Sequence, residues 1–239
     1  MILAHIRYLV NCPVLDNMLN TFTAVGSFGR RATMVTGNFV MRLGTRLPLN
    51  GTGGSAIHPP GGWSNLFSGN ADDDFLSIAI PAFTLNSIDY STVYLGSNTF
   101  FTFTAGSTAY NSLSATNPAL PKIFLGSADN SYQRVSSLTS GFYTRIRYEG
   151  TASTSGTGGS PNIVFEATFF DKTMTGGQPT VEVLFGQHAC IGGQAGIATA
   201  SAYLTTFTPA ANQSYVFVGN STGSTWTIYP GYFMSGTGY

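Results

Sequence analysis

A period of two recurs from residue 71 to residue 229 with no helical period longer than about three turns, and it constrains this chain more than any other feature. Tyr143 to Glu149 sets Ile146 and Tyr148 on one side and Arg145, Arg147 and Glu149 on the other. Ile163, Phe165, Ala167 and Phe169 alternate with Glu166 and Thr168, and Val181, Val183 and Phe185 alternate around Glu182. Successive side chains of a strand point to opposite faces, so each run predicts a strand with one face in a core. The charged face of Tyr143–Glu149 must then reach water or find charged partners. In Thr99 to Thr104 the same rule puts Phe101 and Phe103 together and Phe100 opposite. Shorter runs at 75–80, 92–95, 203–207, 215–218 and 225–229 complete the series. Gly219 to Ser224 reads as a hairpin turn between the last two, and Gly150 to Gly159 as a longer loop.

Many short strands rich in Phe, Tyr, Val, Ile and Thr, separated by Gly, Ser and Asn turns, predict an all-β fold. The expected architecture is an antiparallel β-sandwich, jelly-roll-like, over residues 71–239. A βαβ nucleotide fold is excluded there because no crossover helix is available. Ahead of the sandwich, Gly51 to Ser64 is dominated by glycine and carries Pro59-Pro60, so 51–70 is read as a linker. Residues 1–50 form an irregular N-terminal arm or extra strands that serve attachment or assembly. Within them, Cys12 to Leu19 reads as a helical turn and Val35 to Leu43 as a strand.

Charge narrows the function classes. Only 8% of residues are charged, with ten basic against ten acidic, where an ordinary soluble domain has about 25%. A chain near zero net charge lacks the repulsion that keeps copies apart, which favours permanent assembly. The first 50 residues hold Arg7, Arg30, Arg31, Arg42 and Arg46 against Asp16 alone, while the acids cluster after residue 71. Such opposite halves could steer a copy or partner into place. Five arginines without lysines are too few for a nucleic-acid footprint. The opening ten residues are apolar but interrupted by His5 and Arg7. They are too short to span a bilayer, so neither a signal peptide nor membrane insertion is expected. Cys12 and Cys190 are read as buried free thiols, with one disulfide as the alternative.

Several residues invite a chemical reading. Asp72-Asp73-Asp74 is the one acidic cluster; it is either a solvated loop or part of a calcium site, with Asp129 the distant contributor. His5, His58 and His188 lie far apart, and His188 with Cys190 is a faint zinc hint against the plainer reading of ordinary turn histidines. Glycoside hydrolysis would need two carboxylates across a groove, and Glu149, Glu166 and Glu182 are the only glutamates. Ion pairing with Arg145 and Arg147 explains the first two without catalysis. No catalytic residue, cofactor or metal is therefore assigned. Trp63, Tyr110, Tyr132, Trp226 and Tyr232, at or near loops, and Arg30 and Arg31 of the basic first 50 residues are candidate contacts for a partner or a glycan.

The order of pieces from Asp72 to Phe185 carries a resemblance. It runs through Phe75-Leu76-Ser77-Ile78, then Tyr90 to Phe103 with its Gly96-Ser97-Asn98 turn. Asn117 to Ile123, Ala128-Asp129-Asn130, Tyr143 to Gly150 and Asn162 to Glu166 follow. This resembles the β-domain of tail, fibre and head-surface proteins of tailed bacteriophages, particularly of cyanobacterial and marine hosts, and is loosely similar to the nidogen-type extracellular domain. It covers roughly half the chain. The resemblance implies a non-enzymatic virion component, either decorating the capsid as a cement protein or associated with the tail. Other virion proteins and further copies of itself would be its partners. The alternative is a fibre adhesin for host surface polysaccharide. An exterior type of β protein without an export signal fits a particle assembled inside its host.

Overall fold

Strands form where the alternation predicts them, and every pairing between them is antiparallel. The computed structural model describes residues 33–36, 39–44, 62–108, 120–126, 129–151, 163–186 and 194–236. In chain order, β1 (Thr33–Thr36) and β2 (Phe39–Leu43) come first. There follow β3 (Ser64–Ala71), β4 (Phe75–Leu85), β5 (Ile88–Gly96), β6 (Phe100–Thr102) and β7 (Lys122–Phe124). Next are β8 (Ser131–Thr139), β9 (Tyr143–Thr151), β10 (Ile163–Phe170) and β11 (Thr180–Phe185). The last are β12 (Ala195–Ala198), β13 (Tyr203–Phe207), β14 (Ser214–Gly219), β15 (Trp226–Pro230) and β16 (Tyr232–Gly236). A 3-10 turn at Lys172–Thr175 is capped by Asp171, whose carboxylate accepts from Thr173 N. No helix among the described residues is long and apolar enough to cross a membrane.

Two of the three sheets face each other in a sandwich. The seven-stranded sheet has the order β15-β14-β11-β10-β9-β8-β3, and the six-stranded sheet β13-β12-β7-β6-β5-β4. Their inner faces share one core, in which Phe169 meets Phe83 and Phe101 edge-on, both at 5.4 Å between centroids. Phe83 also stacks on Phe103 at 5.3 Å and on Trp226 at 5.7 Å. Phe100 lies outside this cluster, with Phe124, Ala198 and Tyr203. β4 ties the layers together along its length. It starts beside β8, where Tyr132 donates to Asp74, and passes over β9 and β10. It ends on the β14–β15 hairpin, where Asn86 and Ser87 donate to Gly223 O and Thr222 O. Gly223 sits at φ 62 with Leu85 Cα 2.9 Å from the place a Cβ would take, so the hairpin needs glycine there.

The third sheet, β1-β2-β16, lies on the outer face of the seven-stranded sheet. Phe39, Met41 and Met234 pack there against Tyr143, Phe170, Val216 and Val218. This changes the expected organisation in three ways. The predicted strand over Val35 to Leu43 is two strands paired with each other, Thr36 opposite Phe39. Its second half is no free arm, because β2 pairs with the C-terminal strand β16. The linker expected to run to residue 70 gives way at Ser64, where β3 adds to the edge of the large sheet through β8. β3 lacks an apolar period, and its pairing with β8 shifts register twice, which is why composition alone reads it as a linker.

Phe169→Ala is expected to lower the unfolding free energy by about 3–5 kcal/mol in urea titration, because it removes the ring that joins the sheets. Phe142→Ala, at an exposed ring, should stay within about 0.5 kcal/mol of the parent.

Candidate functional site

Three carboxylates converge at the turn between β3 and β4. Ligand oxygens of Asp72, Asp73 and Asp129 all lie within 4.8 Å of one another. Asp73 adopts φ 47, a left-handed conformation that Asp tolerates better than most residues, and its amide donates to Asp72 Oδ1 at 3.0 Å. Asp74 turns away. Its carboxylate accepts from the Tyr132 hydroxyl at 2.7 Å and from Phe75 N at 2.8 Å, and its carbonyl accepts from Ser97 N at 2.9 Å. Asp129 arrives from the other side, ahead of Asn130, whose amide donates to Asn98 Oδ1 at 2.8 Å. The sequence thus foreshadows the grouping of Asp72 with Asp129, while the left-handed turn at Asp73 and the Tyr132 hydroxyl take Asp74 out of it.

Electrostatics at this corner follow from burial and crowding. The Asp72 carboxyl is raised above the ordinary carboxylate range, first by burial and then by repulsion from Asp129 and Asp73, against a lowering bond from the Asp73 amide. The Tyr132 phenol is pushed up by burial and by the Asp74 carboxylate that accepts its proton. Tyr148 is raised chiefly by burial, and its hydroxyl donates to Ser97 O at 2.7 Å. Three close carboxylates are the donor type that a hard divalent cation such as calcium takes, with water or carbonyl oxygens needed to fill six to eight positions.

The glutamates proposed as hydrolytic candidates are in a different setting. Arg147 Nε contacts Glu149 Oε1 at 2.7 Å and Arg147 Nη1 contacts Glu166 Oε1 at 3.2 Å, all three side chains buried. Glu166 sits directly opposite Arg147 across the β9–β10 pair. Glu182 is buried and accepts from Met234 N at 2.8 Å, fastening β16 to the large sheet. The charged face of β9 therefore finds partners rather than water: Glu149 and Glu166 pair with Arg147 within one sheet, and Glu182 fastens a second sheet to it.

The proposed contact residues divide. Tyr132 is wholly buried between Phe67, Tyr148 and the Asp74 carboxylate. It therefore cannot stack on an external ring, which corrects its assignment as a contact. Trp226 packs half-buried against the core, stacked on Phe83, with its indole N–H donating to Gly223 O at 2.9 Å. Tyr232 is half-buried and meets Tyr229 edge-on at 5.9 Å, and Trp63 is half-buried just ahead of β3. Arg30, Arg31 and Tyr110 lie outside the described residues, as do Cys12, Cys190 and the three histidines. Sequence reasoning misses a clasp in which Lys172 Nζ donates to Asp89 Oδ2 at 2.7 Å while the Thr84 hydroxyl also donates to Asp89. The Lys172 contact holds the Asp89 carboxyl below its ordinary range. No spacing rule links residues so far apart.

Comparison with protein-family models, with curated proteins and with solved structures finds no match in any of the three.

Arg147→Met should cost about 3–5 kcal/mol, because it strands two buried carboxylates. Adding Glu149→Leu and Glu166→Leu should recover most of that loss in the same denaturant titration. Asp72 behaves oppositely. A folded-state pKa above the unfolded one means that ionisation on the way to neutral pH costs stability. Asp72→Asn is therefore expected to raise the melting temperature at pH 7, with the gain vanishing below pH 4, as followed by calorimetry across pH. Repeating the melts with calcium reads cation binding as a rise in the parent that Asp129→Asn abolishes.

Proposed function

We propose that this chain is a non-catalytic structural protein of a bacteriophage virion, a capsid-decorating or tail-associated component that works as an assembly of copies. The observation that carries the assembly reading is the chemistry of two sheet edges that pair with no further strand among the described residues. β13 closes one end of the six-stranded sheet and β3 one end of the seven-stranded sheet. Neither Tyr-Leu-Thr-Thr-Phe nor Ser-Asn-Leu-Phe-Ser-Gly-Asn-Ala contains a charge or a proline. A solitary β protein usually guards such edges with lysine, proline or inward charges, because bare backbone groups recruit another strand. Exposed Leu66, Phe75 and Ile88 add apolar contact area. The phage assignment rests on the strand and turn order from Asp72 to Phe185.

A jelly-roll-like sandwich is the finer fold within this reading. What supports it is that the chain changes sheet between β3 and β4, β7 and β8, β11 and β12, and β13 and β14. The adhesin alternative has one favouring observation, the half-buried Tyr229–Tyr232 pair, whose rings could stack on a sugar. A glycan hydrolase is disfavoured by the buried, engaged state of Glu149, Glu166 and Glu182.

Thr206→Lys on β13 combined with Ser68→Lys on β3 tests the reading by sedimentation. The parent should sediment as an oligomer and the variant move towards monomer, with an unchanged circular dichroism spectrum. Mass spectrometry of purified particles should find the chain. A monomeric parent absent from particles would sink the proposal, while retention on immobilised host polysaccharide by a monomer would favour the adhesin.

A further inference from the structure

The two large sheets end in four strands, β3 and β15 on one and β4 and β13 on the other, and these differ as templates for a further strand. β4 carries Pro81 within a register shift, and β15 ends in Pro230. Proline donates no hydrogen bond to a ladder, and a shift bends the strand away from a newcomer. β3 has no proline, but its pairing with β8 slips twice and Gly69 stands at φ 149 within it. β13 slips once, at its start. From Thr205 to Phe207 it runs residue for residue against Ile197, Gly196 and Ala195 of β12. On its other side it pairs with no strand among the described residues. A straight stretch of three residues is as long as strands used elsewhere in this sheet, since β6 and β7 have three residues each.

We propose that β13 receives β13 of a second copy, antiparallel, about a two-fold axis at Thr206. This contact presupposes the assembly of copies proposed above and specifies which edge joins and how the joint closes. Symmetry restricts such a pairing sharply. Identical antiparallel strands are related by an axis perpendicular to the sheet, which keeps every side chain on its own face. Residues that stand opposite each other share a face, so the only allowed registers put one residue directly opposite itself. Thr206 is the middle of the straight stretch and the one exposed residue of β13. Centring there sets Thr206 against itself and Thr205 against the second copy's Phe207, on the face that Ile197 and Ala195 turn to the core. Paired threonines are a favourable cross-strand match, and β13 brings no charge against its like. Each copy's free edge is consumed, so the two six-stranded sheets run on as one and the contact stops at a dimer. β13 set on β3 would leave one edge of each kind open and propagate as a filament.

Disulfide trapping tests the register in the full chain. Cys12→Ser and Cys190→Ser remove the native thiols, and Thr206→Cys, Thr205→Cys and Ser68→Cys each supply one new thiol. Residues directly opposite lie within disulfide reach, whereas Thr205 stands diagonal to its own copy. In oxidised glutathione, Thr206→Cys should form a disulfide-linked dimer about tenfold faster than either of the others, read on non-reducing gels. Ser68, exposed on β3, measures chance collision. Should the serine changes disturb the circular dichroism spectrum, the native thiols are kept and peptide mapping by mass spectrometry locates the linkage. Equal rates for the three thiols overturn the two-fold contact, as does faster linkage in a mixture of Thr206→Cys with Ser68→Cys than in either alone. If the parent still sediments as an oligomer in those cases, the assembly reading stands without this contact; a monomeric parent defeats both.

Discussion

The outward face of the seven-stranded sheet is set by the contact of Phe169 with Phe83 and Phe101. A strand has only two faces, so fixing Phe169 inward fixes the direction of every other side chain on β10. Phe165 and Ala167 join the core, and Val164, Glu166, Thr168 and Phe170 are turned outward. Pairing with β9 then puts Arg147 beside Glu166, and pairing with β11 puts Leu184 and Glu182 on that same outer face. A slip of one residue would drive Glu166 into the aromatic core and Phe169 out of it. The aromatic contact thereby sets both the register of the large sheet and the chemistry of its far side.

That far side is unusual for a face turned away from the core, since it too is buried. Every residue of β10 is inaccessible on both faces. Charge survives there because Arg147 serves two carboxylates, and the bonds compensate part of the desolvation that burial costs. Glu182 contributes differently, by accepting the amide of Met234 and so anchoring the sheet that contains both ends of the described chain. Arg147 and its two glutamates thus tie neighbouring strands of one layer, while Glu182 and the Lys172–Asp89 pair fasten one layer to another.

Much of this was legible from alternation alone, because period two is a local property. The split of Phe101 and Phe103 from Phe100, the inward and outward sets of β9 to β11, and the β14–β15 hairpin all follow from neighbouring residues. The association of Asp72 with Asp129 was legible as chemistry, since like donors suit one cation. Besides the Lys172–Asp89 clasp, three features were not. β3 carries no apolar period and forms through backbone pairing at an edge. β2 finds its partner at the opposite end of the chain, and no local signal specifies a pairing between strands that distant. Tyr132 lies close to a turn, yet a register shift between Tyr132 and Arg134 and the waiting Asp74 carboxylate bring its ring and hydroxyl inside.

The use of charge as a fastener also bears on the proposed association. The balance of acids and bases along the chain suggests halves that attract each other, but Glu149, Glu166 and Glu182 are buried and Asp74 is bound to Tyr132. Charges spent inside the fold create little field outside it. An already charge-poor chain thus presents a surface poorer still in the groups that repel or steer copies over distance. Besides the carboxylates of Asp72, Asp73 and Asp129, the described surface offers short-range features: end strands β3 and β13 and isolated apolar side chains such as Ile88 and Phe75. Contacts of that kind act only when surfaces already touch, and they reward close fit and repetition. That is why the proposed partners are permanent neighbours in an assembly rather than one that must be found by long-range attraction.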